Sequence, residues 1–282
     1  MINKNSKIFI AGHKGHLGSS IFRELKKKKY VNLITKNKTQ LNLLDQSKVF
    51  NFLKKKKPKL VIIAAARVGG IYANNKFRGK YIYENLQIQN NLIHGSFLAK
   101  VKNLIFLGSS CIYPGNKKKP LKETDLLNGK LEKTNESYAL AKITGIKLCQ
   151  AYNQQFNRNY ISVMPCNLYG PNDNYDPINS HVIPGLIYKF HIAKIKNENT
   201  VFVWGDGSPL REFLNVEDLS KAIIKILSSK IQNDIINIGS GRLISIKDLA
   251  KKISNIVGFN GSIQYDKKKP NGTMYKLLDS TL

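Results

Sequence analysis

Lys7-Ile8-Phe9-Ile10-Ala11-Gly12-His13-Lys14-Gly15-His16-Leu17-Gly18 is the stretch whose reading decides the fold. Its first five residues form an apolar run that reads as a buried strand, and Ile21, Phe22 and Leu25 then recur at helical spacing. Between the two lies G-x-x-G-x-x-G, a variant of the commoner G-x-G-x-x-G dinucleotide fingerprint. Strand, glycine-rich turn and helix are the context that fingerprint needs. Glycines let the backbone approach a pyrophosphate, and the helix N-terminus receives its charge. Gly12, His13, Lys14, Gly15, His16, Leu17 and Gly18 are therefore candidate cofactor contacts. No carboxylate or thiol accompanies His13 and His16, so they read as loop residues and no metal is expected.

The chain outward from this turn alternates. A second strand over 31–35 ends in Lys36-Asn37-Lys38, where an NAD site usually carries an acid for the ribose 2′-hydroxyl. No acid appears before Asp45, which is assigned to the adenine end. With Lys14, Lys36 and Lys38 at hand, a 2′-phosphate is accommodated instead, and the expected cofactor is NADP(H). A helix over 46–56, stopped by Pro58, leads to a third apolar strand over 60–64 and then to small residues at Ala65, Ala66, Gly69 and Gly70. A helix over 84–100 and a strand over 104–107 follow. This pattern predicts an α/β fold, a Rossmann-type doubly wound parallel sheet.

The last of those strands runs into Gly108-Ser109-Ser110-Cys111-Ile112-Tyr113-Pro114, so its hydroxyls and thiol emerge in the crevice where doubly wound sheets hold ligands. Downstream, Tyr138 and Lys142 stand four apart, one helical turn, with phenol and ammonium on one face. Many helices carry such a pair with nothing to catalyse. Its position after a nucleotide-binding start and a strand ending in Ser-Ser-Cys gives it meaning. A nearby cation lowers the phenol's pKa, which suits acid/base work on a carbonyl with Ser109 or Ser110 on the same oxygen.

The 282 residues suffice for a large core without staples. Cys111, Cys149 and Cys166 form no C-x-x-C pattern, which argues against a disulfide framework or zinc site and fits a reducing compartment. The N-terminus has no apolar h-region, and the longest obvious apolar run, 60–66, is too short to span a bilayer, so a soluble cytoplasmic protein is expected. A formal charge of +28 suggests nucleic acid. All but six of the 46 basic residues are lysines scattered along the chain with abundant Asn and Ile, which is a composition bias and not a binding stripe. No nucleic-acid or membrane partner is expected.

These motifs, with Ala64-Ala65-Ala66-Arg67-Val68-Gly69-Gly70-Ile71, Asn135-Glu136-Ser137-Tyr138-Ala139, Asn167-Leu168-Tyr169-Gly170-Pro171, Asn179-Ser180-His181-Val182-Ile183-Pro184 and Arg211-Glu212-Phe213-Leu214, resemble the extended short-chain dehydrogenase/reductases. Within them the chain resembles the GDP-L-fucose synthase family, 3,5-epimerase-4-reductases of GDP-4-keto-6-deoxy-D-mannose. The resemblance covers essentially the whole chain. It implies that Cys111 and His181 are the base and acid that invert C3 and C5, made acidic by the C4 ketone. It also implies that Tyr138 gives a proton to the C4 oxygen, Ser109 hydrogen-bonds that oxygen, and Lys142 tunes the phenol and holds the nicotinamide ribose. Further cofactor contacts implied are Ala65, Leu107, Gly108, Ser110, Pro165, Cys166, Asn167, Leu168 and His181. Lys189, Trp204, Arg211 and Asn271 are implied for the nucleotide sugar.

By the same resemblance the NADP-binding domain spans 1–170 with 215–240 returning, and a smaller C-terminal substrate-binding lobe takes 171–214 and 241–282. The lobe is expected to be C-terminally truncated, because family members continue for a further helical segment. A homodimer on two helices of the nucleotide domain is expected. Asn271 stands where the family carries Asp, which serves guanine's N1 and N2 donors as an amide cannot. Asn215 replaces a residue often His, and Cys166 one often Thr. Two other readings stay open beside the bifunctional enzyme: a related epimerase or reductase acting on another nucleotide sugar, and a non-catalytic NADP-binding protein.

Overall fold

The computed structural model describes residues 2–229 and 234–282. Six parallel strands make the main sheet: β1 (Ile8–Ala11), β2 (Leu33–Thr35), β3 (Leu60–Ile63), β4 (Asn103–Leu107), β5 (Asn159–Pro165) and, late in the chain, β9 (Ile235–Ile238). Their order is β2-β1-β3-β4-β5-β9. The chain leaves β1 towards β2 and then crosses back to β3, so the topological switch lies between β1 and β3. In such sheets ligands bind at the carboxyl ends of the strands beside that point.

Alternate side chains of each strand serve opposite faces. Phe9, Ala11, Val61, Ile63, Leu104 and Phe106 enter one core with α2 (Gln46–Lys56), α4 (Arg78–Leu98) and α5 (Glu136–Phe156). Ile8, Ile10, Leu60, Ile62, Ile105 and Leu107 enter the other with α1 (His16–Lys27) and α7 (Val216–Ser228). Covering both faces is why β1 and β3 read as unbroken apolar runs and not as alternation. The doubly wound, Rossmann-like fold is thus present. Residues 230–233, part of the segment expected to return to this sheet, lie outside the described residues.

Two expectations need correction. The helix expected over 84–100 starts at Arg78 and is preceded by a short α3 (Ile71–Lys76). Nothing local marks that start, because Phe77 caps it without a side-chain bond and its first turn holds Gly79 and no acid, and further on α4 buries the polar residues Asn85, Gln89, Asn91 and Ser96. Asn85 uses its amide on the Arg67 backbone, accepting from N at 2.8 Å and donating to O at 3.0 Å, which fixes the loop after β3. The second strand, expected over 31–35, begins only at Leu33, and Val31 is 67% exposed.

A third apolar cluster gathers α6 (Val182–Ile195) and α8 (Ile246–Val257) around Phe190, Val201, Val203, Leu249 and Phe259. There β7 (Thr200–Trp204) pairs in parallel with β11 (Ser262–Asp266). The remaining strands, β6 (Asn167–Tyr169), β8 (Leu210–Asn215), β10 (Leu243–Ser245) and β12 (Tyr275–Lys276), form a small sheet centred on β8. Because β6 directly follows β5, this sheet hangs from the carboxyl edge of the main one.

Candidate active site

The first glycine turn is built for close approach. Gly12 has φ +88°, and a Cβ there would lie 2.6 Å from the Ala65 nitrogen, so β1 and β3 meet across a gap only glycine leaves. A Cβ on Gly18 would strike the Gly12 carbonyl at 2.1 Å. Gly15 N-caps α1 with no side-chain cap bond and no acid stands in the helix's first turn, so its orphan N–H groups keep their pull on an anion. Lys14 is exposed in the turn, and Lys36 and Lys38 follow directly on β2. These residues fit a dinucleotide with an extra phosphate. Asp45 is engaged locally: it N-caps α2 by accepting from Lys48 N at 3.0 Å, and it pairs with Lys48 Nζ at 3.1 Å.

Beyond the ends of β4 and β5 opens a cavity of about 300 Å³. Ser109, Cys111, Tyr138 and His181 all line it, as do Lys189, Trp204, Arg211 and Asn271. Four catalytic candidates and four substrate candidates, scattered over more than 160 positions, therefore face one space. Asn167 reaches it too, while its Nδ2 donates to the Glu212 carbonyl at 2.9 Å.

Local structure aims each group. Ser109 N-caps a 3-10 turn over Ser110–Ile112, its hydroxyl accepting from Cys111 N at 3.4 Å, which turns hydroxyl and thiol together at the strand's end. Tyr138 lies in the first turn of α5 and Lys142 one turn later, buried. His181 is the N-cap residue of α6, and its loop is tied to the Gly69–Gly70 turn by Gly70 N donating to Asn179 O at 3.0 Å.

Electrostatics correct one expectation. The Tyr138 hydroxyl is pushed well above its ordinary range, by burial first and then by the neighbouring Cys111 and Tyr81. Lys142 does not offset this, because its ammonium donates to the Leu107 carbonyl at 2.7 Å and stands 5.7 Å from the centroid of the Tyr138 ring. Burial lowers Lys142 itself to about 8. Tyr138 in this geometry is a firmly protonated acid.

Burial also raises the Cys111 thiol, opposed by the charges of Lys276 and Lys142 and by the hydrogen bond with Ser109. His181 is lowered by its protein surroundings, against the pull of the Asp173 carboxylate. His16 is lowered in the same way, and its Nδ1 stands 3.6 Å from Asp173. Burial sends Cys149 up and Cys166 to about 12, so neither thiol is poised to react.

Two ammonium groups stand over the ring of Trp204 on the cavity wall, Lys189 at 5.5 Å and Lys269 at 5.6 Å from its centroid. Lys189 also donates to Phe202 O at 3.0 Å. Arg211, lowered to about 10 by burial, donates to its neighbour's carbonyl, Leu210 O, at 3.0 Å and to Asn271 O at 3.4 Å, which leaves part of its fork for an anion. The Asn271 side chain accepts from Asp206 N at 2.9 Å. Asn135, quoted above within a motif but given no role, also lines the cavity, as do Glu132 and Lys276, which escaped the sequence reading. Lys276 sits in a two-residue strand of a lysine-rich chain, and nothing but its half-buried place on the cavity wall distinguishes it.

The chain is similar to several known proteins. A GDP-L-fucose synthase of Escherichia coli K12 is 47% identical over 98% of this chain and 88% of its own length. GDP-L-fucose synthase 1 of Arabidopsis thaliana is 50% identical over 100% and 87%. Among solved structures, a GDP-mannoheptose C4 reductase from Campylobacter jejuni with NADP bound has TM-score 0.90 and 39% identity, covering 100% of this chain and 92% of that one. A GDP-L-fucose synthetase from Naegleria fowleri bound to NADP has TM-score 0.89 and 26% identity, over 99% and 87%. The model of the NAD dependent epimerase/dehydratase family matches residues 8–239, and the chain belongs to that family.

Proposed function

We propose that this protein converts GDP-4-keto-6-deoxy-D-mannose to GDP-L-fucose with NADPH, inverting C3 and C5 and then reducing C4. One observation carries the reading: a thiol and an imidazole, Cys111 and His181, face the same cavity as a hydroxyl and a phenol, Ser109 and Tyr138. A simple 4-reductase needs only the second pair. Near 50% identity over the full chain to GDP-L-fucose synthases of bacteria and plants supports it.

The C4 carbonyl acidifies the hydrogens at C3 and C5. Cys111, as thiolate, removes a proton from one face and His181, as imidazolium, returns one to the other, while Ser109 donates to the oxygen on which the enolate charge collects. After both inversions Tyr138 delivers its proton to that oxygen. The Gly12–Gly18 turn would hold NADPH, Lys14, Lys36 and Lys38 would receive its 2′-phosphate and Lys142 its nicotinamide ribose, and the bound cofactor would supply the hydride for C4. Arg211 and Lys189 grip the diphosphate, and Trp204 and Asn271 pack the nucleoside.

Residues 1–170 with 215–240 form the cofactor domain in this reading, and 171–214 with 241–282 the substrate lobe. The protein works in the cytoplasm as a homodimer through two helices of the cofactor domain. Its three cysteines are unpaired, and among the described residues no helix is long and apolar enough to cross a membrane.

Incubation of the protein with GDP-4-keto-6-deoxy-D-mannose and NADPH tests the reading. One NADPH should be oxidised per GDP-L-fucose formed, with the product identified by NMR. An unepimerised GDP-6-deoxyhexose as product would contradict it and leave a plain 4-reductase.

A further inference from the structure

Lys276 shares two hollows with Cys111. Both line the main cavity, and both line a second one of about 10 Å³, room for a single water, with Glu132 and Asn135 on its wall. The Asn135 Oδ1 is buried there without a hydrogen-bond partner. β12 pairs with β8 in parallel with Lys276 opposite Arg211, so the two side chains leave the same face of that small sheet towards the cavity. Among the described residues no hydrogen bond or ion pair within 4 Å holds the Lys276 ammonium, whereas Lys142 is held on the Leu107 carbonyl at 2.7 Å.

Epimerisation by Cys111, on which this inference rests, makes two demands that Ser109, Tyr138, Lys142 and His181 do not meet. A thiol removes a proton from carbon only as thiolate, and burial disfavours that form, so a cation free to face sulfur is required. Two inversions in succession also leave a proton on sulfur after the first, which has to depart before the second. The groups facing Cys111 are Lys276 from β12 and Lys142 and Tyr138 from α5. Those facing Lys276 are Cys111, Arg211, Glu132 and Cys166.

We propose that Lys276 is the positioning residue of the epimerisation base, lowering the cost of the Cys111 thiolate in each inversion and passing the sulfur's proton into the hollow it shares with Glu132. In each inversion the C–H bond breaks, its electron pair passes into the enolate, and an S–H bond forms. The Lys276 ammonium then releases a proton to water or the Glu132 carboxylate and takes the sulfur's proton in its place. Thiolate and ammonium are restored, and one proton has left the site for each one His181 delivers. Burial lowers Lys276 from its ordinary range, which eases that release.

The pH dependence of Cys111 alkylation by iodoacetamide, read by mass spectrometry at its own peptide and without substrate, tests this. Lys276→Met should slow alkylation at neutral pH about tenfold or more, an upward shift of at least about one unit in the thiol's titration. Lys276→Arg should stay within about threefold of wild type, since it keeps the charge. With substrate in deuterated water, the Met variant should lose deuterium uptake at C3 and C5 by a similar factor while its NADPH affinity is unchanged. An alkylation profile identical in wild type and Lys276→Met would overturn the proposal. Should the Met variant fail to bind NADPH, Lys276→Gln serves the same comparison. A wild-type protein that reduces without deuterium uptake would sink the epimerase reading itself, a result on which the substrate-free profiles do not depend.

Discussion

At the scale of single residues, the site separates two kinds of proton chemistry by environment. Tyr138 is held protonated by burial, so it serves as a donor to the C4 oxygen and not as a base. Tyr138→Phe should lower reduction by about 10²–10⁴-fold, the usual weight of a general acid. It should leave deuterium exchange at C3 and C5 in place, which NMR of the recovered keto sugar will read. Cys111 and His181 work only when the pair carries one proton between them. His181 is shifted below its ordinary value of 6.5 and Cys111 above its ordinary 9.0, and both shifts widen the window in which one proton is shared. The exchange rate against pH should therefore be bell-shaped, falling on the acid side only below about 6.5, where His181 and Cys111 are both protonated, and on the alkaline side only above about 9, where both have lost their protons. The two apparent values belong to the pair. An acid limb above pH 7.5 would contradict the assignment.

Among the elements, the caps and turns carry the testable weight. Asn215, where relatives of the resembled family often have His, N-caps α7 by accepting from Glu217 N at 2.8 Å. Asn215→Ala should cost about 1 kcal/mol in urea denaturation with activity retained. Gly12→Ala should act in the opposite way on function, abolishing NADPH binding measured by fluorescence, because its Cβ would collide with the Ala65 backbone. The same elements show what the sequence could disclose. β1, β3 and β4 were legible because strands covered on both faces are continuously apolar, and the glycine turn because its spacing has a physical purpose. The early start of α4 was hidden because Phe77 caps it without a side-chain bond and its first turn holds Gly79 and no acid, so no local start signal marks it. Ser109, Cys111 and Tyr138 were legible from their order along a doubly wound chain, whereas Lys276 was masked by the abundance of lysine. Asp45, assigned to the adenine end, also caps α2 through the nitrogen of Lys48 three residues on, which its place before the helix announces locally. The meeting of Lys276 with Cys111 is set by tertiary packing, and no local pattern encodes it.

For the whole molecule, the formal charge of +28 sets a field that a dianionic nucleotide sugar and a cofactor with three phosphates both feel. Raising ionic strength from about 0.01 M to about 0.15 M shortens the screening length from about 30 Å to about 8 Å. KM for the sugar nucleotide should rise severalfold over that range with kcat unchanged, and steady-state assays at the two salt concentrations will show it. The cavity is assembled from parts far apart in sequence, the turn after β4 supplying hydroxyl and thiol, α5 the phenol, and the N-cap of α6 the imidazole. Turnover of GDP-4-keto-6-deoxy-D-mannose with NADPH in deuterated water, in wild type and Cys111→Ser, tests whether these groups act as one site. The wild type should give GDP-L-fucose deuterated at C3 and C5, and the mutant should lose that product or give an unepimerised 6-deoxy sugar. Deuterated GDP-L-fucose formed equally well by Cys111→Ser would contradict this expectation.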